Sequence, residues 1–373
     1  MTRLYDCAVI GAGVMGCSVA LALARGGMSV VLLDWGAICR EVSGVNAGTL
    51  TMQMTRAALV PYALRAWELW MDTPRWLGLP VGAERRDGLS VAFTEAEAAL
   101  LEQRAAARRA AGAPIELVDA RRARQIEPGL TERALMAGFC PVDGFTSAYL
   151  TGRVFRHALA AAGVELREQD GVVGVDRARE RFRLRIHSGA GIEATRTVLA
   201  GGVWLEEMAA WFGLRLPIKV LINQLAVTER MPPVMRTVLG IASGMLSLKQ
   251  YPNGTVLIGG GWQGRGGRHD GRGDAFVPDN LVGNIRLAAF VVPALRRARI
   301  VRAWLGLEAE TADALPVLGP LPGVPDGWII GSVHSGYTSG PFMGTLLADA
   351  ILGRQPALPL FPVDRLLAPK AAA

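Results

Sequence analysis

Tyr5-Asp6-Cys7-Ala8-Val9-Ile10-Gly11-Ala12-Gly13-Val14-Met15-Gly16 decides the fold. Residues 5 to 10 form a short apolar run of the kind that builds a buried parallel strand. The glycine-rich turn leads into the alanines and leucines of Ser18 to Arg25, a helical segment that Gly26 and Gly27 stop. A second β-branched run, Ser29 to Leu33, ends at Asp34 and completes a βαβ unit. The turn fits G-x-G-x-x-G, and each glycine has a physical task. Gly11 allows the tight turn out of the strand, Gly13 lets the backbone approach a pyrophosphate, and Gly16 lets helix and sheet pack closely. The helix then offers unpaired N–H groups and a positive dipole end, with Val14 and Met15 at its mouth. Asp34, 18 residues beyond Gly16, is placed to accept hydrogen bonds from the ribose of an adenosine half, with Trp35 beside it.

This first motif serves NAD and FAD alike. The following segment separates them: Ser43-Gly44-Val45-Asn46-Ala47-Gly48 is a second small-residue loop, suited to close backbone approach by another part of an extended cofactor.

Reading outward, Pro61 to Trp70 is helical, Arg85 to Phe93 a strand and Thr94 to Ala111 a long exposed helix. Val154 to Ala162 is helical, and Gly163 to Val175, Phe182 to His187 and Glu193 to Leu199 supply strands. Leu216 to Val227 and Met245 to Gly259 read as antiparallel strands, Trp328 to Ile330 as a strand, and Gly344 to Leu352 as a helix. The expected fold class is α/β, a Rossmann-like FAD-binding domain with an inserted α+β substrate domain built on a mixed or antiparallel sheet. The expected FAD-binding segments are 1–82, 144–216 and 306–365; 83–143 and 217–305 form the substrate domain.

At 373 residues, with 51% hydrophobic and 20% charged residues, the chain can bury a substantial core. Its four cysteines, Cys7, Cys17, Cys39 and Cys140, and four histidines show no metal-ligand spacing, so no metal site is expected. The N-terminus lacks the pattern of a signal peptide and no apolar stretch is long enough to span a membrane, which makes the expected location cytoplasmic. The net charge of +7 concentrates in Arg104, Arg108, Arg109, Arg121, Arg122 and Arg124. Acidic residues interleave with these and no aromatic platform accompanies them, so they read as a solvated helix face and no nucleic-acid partner is expected.

With these motifs in place the sequence resembles the D-amino-acid oxidase superfamily of FAD enzymes. That group includes glycine and sarcosine oxidases, the catalytic subunit of hydrogen cyanide synthase, and β subunits of heteromeric imino-acid and opine dehydrogenases. The resemblance rests on Gly11 to Gly16, Asp34, Ser43 to Gly48, Val198 to Trp204, Arg302 to Gly306, Thr311 to Asp313 with Pro316 to Gly319, and Ser335 to Pro341. It implies noncovalent FAD, with Val172 or Val173 on the adenine side and Ala200, Gly201, Gly202 and Trp204 passing beside the cofactor. It further implies that Gly306, His334, Gly336, Tyr337 and Thr338 cradle the flavin, with a helix N-terminus near Gly340 facing its pyrimidine edge.

The implied activity is oxidation of a C–N bond in a small amine or amino or imino acid, by hydride transfer to flavin, giving an imine that hydrolyses. The alternative is a flavin-bearing subunit that passes electrons to a partner subunit. Glycine oxidase-like sequences place a carboxylate-binding arginine directly after Trp-x-Gly-Leu, and here Trp304-Leu305-Gly306-Leu307 is followed by Glu308. Arg302 and Arg56 are the candidate replacements. Trp262 and Gln250 are candidate pocket walls, and His334 is the histidine placed nearest the flavin. Monomeric sarcosine oxidase aligns a lysine that assists oxygen with Leu257, and leucine supplies no charge, which favours a dehydrogenase over an oxidase.

Overall fold

The computed structural model describes residues 3–178, 180–266, 274–331 and 333–367. The opening run forms the strand Leu4–Ile10 and the helix after it is Val14–Arg25. The strand lies parallel to Val30–Leu33 on one side and Gly191–Leu199 on the other. From Cys7 onward its side chains alternate between two cores. Cys7 and Val9 pack under the helices, while Tyr5, Ala8 and Ile10 enter the cluster on the opposite face. A strand covered on both faces is apolar over its buried stretch, here Cys7 to Ile10, which is what made this run legible.

Among the described residues the first sheet has eight strands, with the path Val317–Pro320, Gly327–Gly331, Gly191–Leu199, Leu4–Ile10, Val30–Leu33 and Glu165–Arg167. Val172–Ala178 and Arg181–Ile186 form an antiparallel ribbon attached to Gly191–Leu199. The second sheet has nine strands among the described residues and runs Ile300–Glu310, Lys219–Arg230, Thr255–Gly260, Leu246–Gln250, Val238–Ile241, Glu84–Ala92, Met136–Phe145 and Thr49–Leu50, with Glu116–Asp119 beside Met136–Phe145. It is antiparallel apart from the parallel pairing of Val238–Ile241 with Glu84–Ala92. This is the mixed sheet expected from the sequence. The helix Pro278–Val291, which the sequence reading passed over, sends Ala288 and Val291 into the core of this second sheet.

The helix Glu95–Ala110 begins at a capping box. Thr94 Oγ1 accepts from the Glu97 N–H, and the Glu97 carboxylate accepts from the Thr94 N–H. The long strand Ile300–Glu310 joins the two halves. It pairs with Lys219–Arg230 in the second sheet and sends Leu307 and Ala309 into the core of the first.

One helix differs from expectation. The segment from Ser335 to Pro341, read as a loop with a helix starting near Gly340, is already helical from Gly336, and the helix runs to Ile351. Pro341 lies within it and has no N–H to donate to the carbonyl of Tyr337 four residues earlier. The indole N–H of Trp70 takes that role, 3.1 Å from Tyr337 O and 3.2 Å from Thr338 O. A tertiary contact thus supplies what the proline removes. Gly340 faces Val14 and Met15, and a Cβ at Gly344 would stand 2.5 Å from Ser18 Cβ, so small residues set the close packing of this helix on Val14–Arg25.

Candidate active site

A continuous cavity of about 1090 Å³ runs from the first glycine loop to the inner face of the second sheet. Gly11, Gly13, Val14 and Met15 form its floor at one end. Gly11 has φ 110° and a Cβ there would lie 2.4 Å from Ala200 O, while a Cβ at Gly16 would lie 1.9 Å from Gly11 O. Gly16 does not line the cavity; it lets the helix begin against the loop. Asp34 is held in place by two backbone donors, Ala12 N at 2.6 Å and Gly36 N at 2.8 Å. Burial raises its pKa despite those two bonds. Trp35, 56% exposed, walls the same end and tilts against His187 at 5.3 Å between ring centres.

The second loop closes over the middle of the cavity. Ser43 Oγ accepts from Val14 N at 3.0 Å, and Asn46 Oδ1 accepts from Gly48 N at 2.8 Å. Gly48 stands behind the lining with φ 69°, where a Cβ would be 2.3 Å from Thr146 O. Trp304 Nε1 donates to Val45 O at 2.8 Å, strapping the loop to the joining strand. Val172, Ala200, Gly201, Gly202, Trp204 and Gly306 line the cavity, as do Asn46, Ala47 and the stretch from His334 to Thr338. Val173 alternates away and is exposed, and Gly340 is buried in helix packing. Tyr337 turns its hydroxyl inward to Thr146 Oγ1 at 2.8 Å and Thr151 Oγ1 at 2.6 Å and stacks on Trp70, which makes its side chain structural.

At the far end Glu308 and His334 form an ion pair in the cavity wall, through Oε1 and Nδ1. Asn223 Nδ2 donates to the other Glu308 oxygen at 2.6 Å. Burial alone would raise the Glu308 carboxyl, but the His334 bond and charge and the Asn223 bond outweigh it and hold the pKa low. Burial alone would likewise lower His334, and Glu308 raises it above its ordinary value instead. Arg56 also lines the cavity and reaches Glu310 at 3.4 Å.

Three sequence candidates stand elsewhere. Gln250 is consumed by structure: Oε1 accepts from Val234 N at 2.8 Å, and Nε2 donates to Pro232 O and Gly254 O. Trp262 is 49% exposed, outside the cavity, with its ring on Gly283. Arg302 is exposed on the joining strand with its guanidinium 5.9 Å from the Trp304 ring centre. A strand pattern tells which residues share a face, not which face meets the cavity.

The sequence reading missed Lys249, which is wholly buried, pairs directly with Leu257 and donates to Thr49 Oγ1 at 2.5 Å. Thr49 Oγ1 in turn meets Ser247 Oγ at 2.5 Å, and both hydroxyl residues line the cavity. Burial lowers the Lys249 pKa to about 7. Gln53, Asn223, Arg104 and Arg108 also line the cavity without having been singled out for it.

The glycine cradle, the paired backbone donors on Asp34 and the volume of the cavity fit an FAD. The family model for FAD-dependent oxidoreductases of the DAO type matches residues 6–350. The chain belongs to that family. It is similar to glycine oxidase of Geobacillus kaustophilus, at 28% identity over 97% of each chain, and the crystal structure of that protein superposes with a TM-score of 0.85 at 25% identity over the full length of both. It is also similar to an opine oxidase subunit of Rhizobium meliloti, 24% identical over 89% of each chain. Hydrogen cyanide synthase subunit HcnC of Pseudomonas aeruginosa is 26% identical, over 93% of this chain and 92% of its own. FAD dependence and the oxidoreductase class follow from the family. Among the described residues no helix is long and apolar enough to cross a membrane, and no cluster of ligating side chains could hold a metal ion.

Proposed function

We propose that the chain oxidises the C–N bond of a small amine or amino acid. The observation that carries this reading is Glu308, an ionised carboxylate in the cavity wall between Gly306 and the His334 loop. Its remaining lone pairs suit an N–H of a substrate amine, and its bonds to His334 and Asn223 fix the direction from which that amine approaches. Bound FAD would accept the hydride from the carbon bearing nitrogen. Gly11 to Met15 and Asp34 would hold its pyrophosphate and ribose, while the backbone of Gly306 and His334 to Thr338 would border the ring. The imine product leaves for hydrolysis by water.

The apolar Leu257 supports use as a dehydrogenase. Lys249, a buried amine directly opposite it, supports oxygen as acceptor, and this is the second reading. We place the first sheet and its helices as the FAD domain and the second sheet as the substrate domain. We read FAD as held noncovalently, since the four cysteines are all buried and Cys39, the one that lines the cavity, lies beside the pyrophosphate loop with its N–H on Ala12 O. Free cysteines also suit a reducing cytoplasm. Resemblance to subunits of multi-subunit enzymes supports an electron-accepting partner.

Purified protein should be yellow, release FAD on denaturation, and bleach anaerobically with its true substrate in a panel of amines and amino acids. Colourless protein that takes up no FAD overturns the reading, as does a bound FAD that no member of a broad amine panel reduces. Full turnover by the chain alone with dye or oxygen overturns dependence on a partner.

A further inference from the structure

The start of the joining strand forms a corner of the molecule that the oxidation chemistry above does not use. From Asn280 to Leu307 the chain has no acidic residue, and Arg296, Arg297, Arg299 and Arg302 fall within seven of those residues. The neighbouring strand Lys219–Arg230 ends at the same corner, where the Glu229 N–H donates to Arg299 O at 2.8 Å, and adds Arg230. All five arginines are exposed, and among the described residues none has a carboxylate in ion-pair range. Glu229 is the acid beside them; Glu132 and Arg133, which share a small pocket with Pro293 and Ala294, add one charge of each sign. Five arginines against Glu229 leave a local charge of +4, more than half of the chain's net +7. By contrast Arg181 and Arg183 reach Glu193, and Arg185 reaches Asp176.

Two aliphatic side chains stand among these guanidiniums: Val301 is 63% exposed and Ile300 36%. The strand Ile300–Glu310 lies at the end of its sheet, and its pairing is irregular at this point. Thr228 faces Ile300 and Val227 faces Arg302, so Val301 is an extra residue with no opposite number, a β-bulge. A bulge spoils an edge for an added strand, and charged residues on the edge discourage one further. Strand addition by another chain is therefore the wrong mode of docking here. A protective edge needs charge, however, and not aliphatic side chains held in water. An acidic protein segment would answer the arginines and leave those side chains uncovered. An anionic bilayer answers both, with phosphates at the guanidiniums and the glycerol and upper acyl region at Val301 and Ile300.

We infer that this corner, Arg296 to Arg302 with Arg230, docks the protein peripherally on an anionic phospholipid surface. The arginines supply long-range attraction, and the bulged valine with its isoleucine neighbour supplies the shallow apolar contact. The strand Ile300–Glu310 then links the bilayer-facing corner to the cavity, with Glu308 roughly 23 Å along the strand from Val301. The inference stands independently of the proposed C–N oxidation.

The test reads binding rather than turnover. FAD-loaded protein is sedimented with vesicles of phosphatidylcholine alone or of equal parts phosphatidylcholine and phosphatidylglycerol. It should bind the anionic vesicles and not the neutral ones, and ~1 M salt should release it, because the screening length falls to ~3 Å. Arg296→Gln, Arg297→Gln and Arg299→Gln combined should weaken binding ~100-fold. Val301→Ser, which leaves every charge in place, should weaken it ~10-fold. A control triple of exposed residues on other elements, Arg109→Gln, Arg121→Gln and Arg122→Gln, lowers the net charge equally and should bind like wild type. All these side chains are exposed, and the flavin absorption band confirms that each variant is folded and loaded. Absence of binding to anionic vesicles overturns the inference, as does an equal loss in the control triple, which would mean attraction by net charge alone. Wild-type binding by Val301→Ser overturns it as well; soluble poly-glutamate should then displace the vesicles, and the corner would belong to an acidic protein surface.

Discussion

Lys249 stands directly opposite Leu257 in the antiparallel pair Leu246–Gln250 and Thr255–Gly260, sealed from solvent, with its amine on Thr49 Oγ1. Its pKa falls to about 7 from an ordinary 10.5 because burial disfavours the charged form. The unfolded chain therefore binds more protons than the folded one between those two values, and stability rises with pH across that window. Below pH 7 the fold carries the full cost of a buried ammonium. Lys249→Met should raise the melting temperature, with a gain largest at pH 6 and shrinking toward pH 10. A gain that does not change with pH would mean that Lys249 titrates normally.

The same variant tests the acceptor. If the amine supplies the charge that Leu257 lacks, Lys249→Met slows reoxidation of the reduced flavin by oxygen and spares its anaerobic reduction by substrate. Stopped-flow traces separate the two half-reactions. Unchanged reoxidation would assign Lys249 to structure and favour a dehydrogenase.

Glu308 and His334 sustain each other. His334 is raised above its ordinary 6.5, so its part of the pair is fully present below that pH and is lost as pH rises through the raised value. Glu308 is lowered from 4.5, so its part is present above that pH and is lost as pH falls through the lowered value. Glu308→Gln removes the charge that offsets burial of the imidazole. The His334 titration should then move below 6.5, and any basic limb in the pH dependence of flavin reduction that belongs to His334 should move the same way. With four histidines in the chain, proton resonances of the imidazoles can report it directly. An unmoved His334 resonance would show that the pair does not set its pKa.

The residues that were legible were those whose role is local. Gly11, Gly13, Gly16 and Asp34 act within one strand, turn and helix, and the physics of that unit can be read from about 30 residues. Arg108 was not, because Arg104, Arg108 and Arg109 follow Glu95, Glu97 and Glu102 along one exposed helix and only tertiary packing decides which of them meets the cavity. Lys249 was hidden for a related reason: a charge in an apolar strand announces itself only once its cross-strand neighbour is known. Gln250 and Trp262 misled because a polar or aromatic residue on a strand looks the same from sequence whether it lines a pocket or braces a hairpin.

Asp34 tests the cofactor end. Its carboxylate accepts from Ala12 N and Gly36 N, which shapes the turn, and keeps lone pairs for a ribose. Asp34→Ala should weaken FAD binding by ~10-fold or more, with Asp34→Asn between it and wild type. Because burial raises its pKa, FAD retention should also begin to fail at a higher pH on acidification than an exposed aspartate would give. Titrating apo-protein with FAD and following quenching of flavin fluorescence measures both. Equal affinities in all three proteins would remove Asp34 from the binding account.

Trp70 and Pro341 form a pair that a double-mutant cycle can separate. Pro341 cannot donate to Tyr337 O, and the Trp70 indole N–H does so from another helix while its ring stacks on Tyr337 at 4.9 Å. Trp70→Phe keeps most of the stack and strands the buried carbonyl of Tyr337, at a cost of about 1–3 kcal/mol. Pro341→Ala restores an N–H in register for Tyr337 O, since alanine continues the helix. In that background the Trp70→Phe penalty should shrink by about 1 kcal/mol, a positive coupling read from denaturant unfolding of all four proteins. Strict additivity would mean that the indole bond does not stand in for the missing helical one. In that case the early start of the helix at Gly336 would have to rest on its packing against Val14–Arg25 alone.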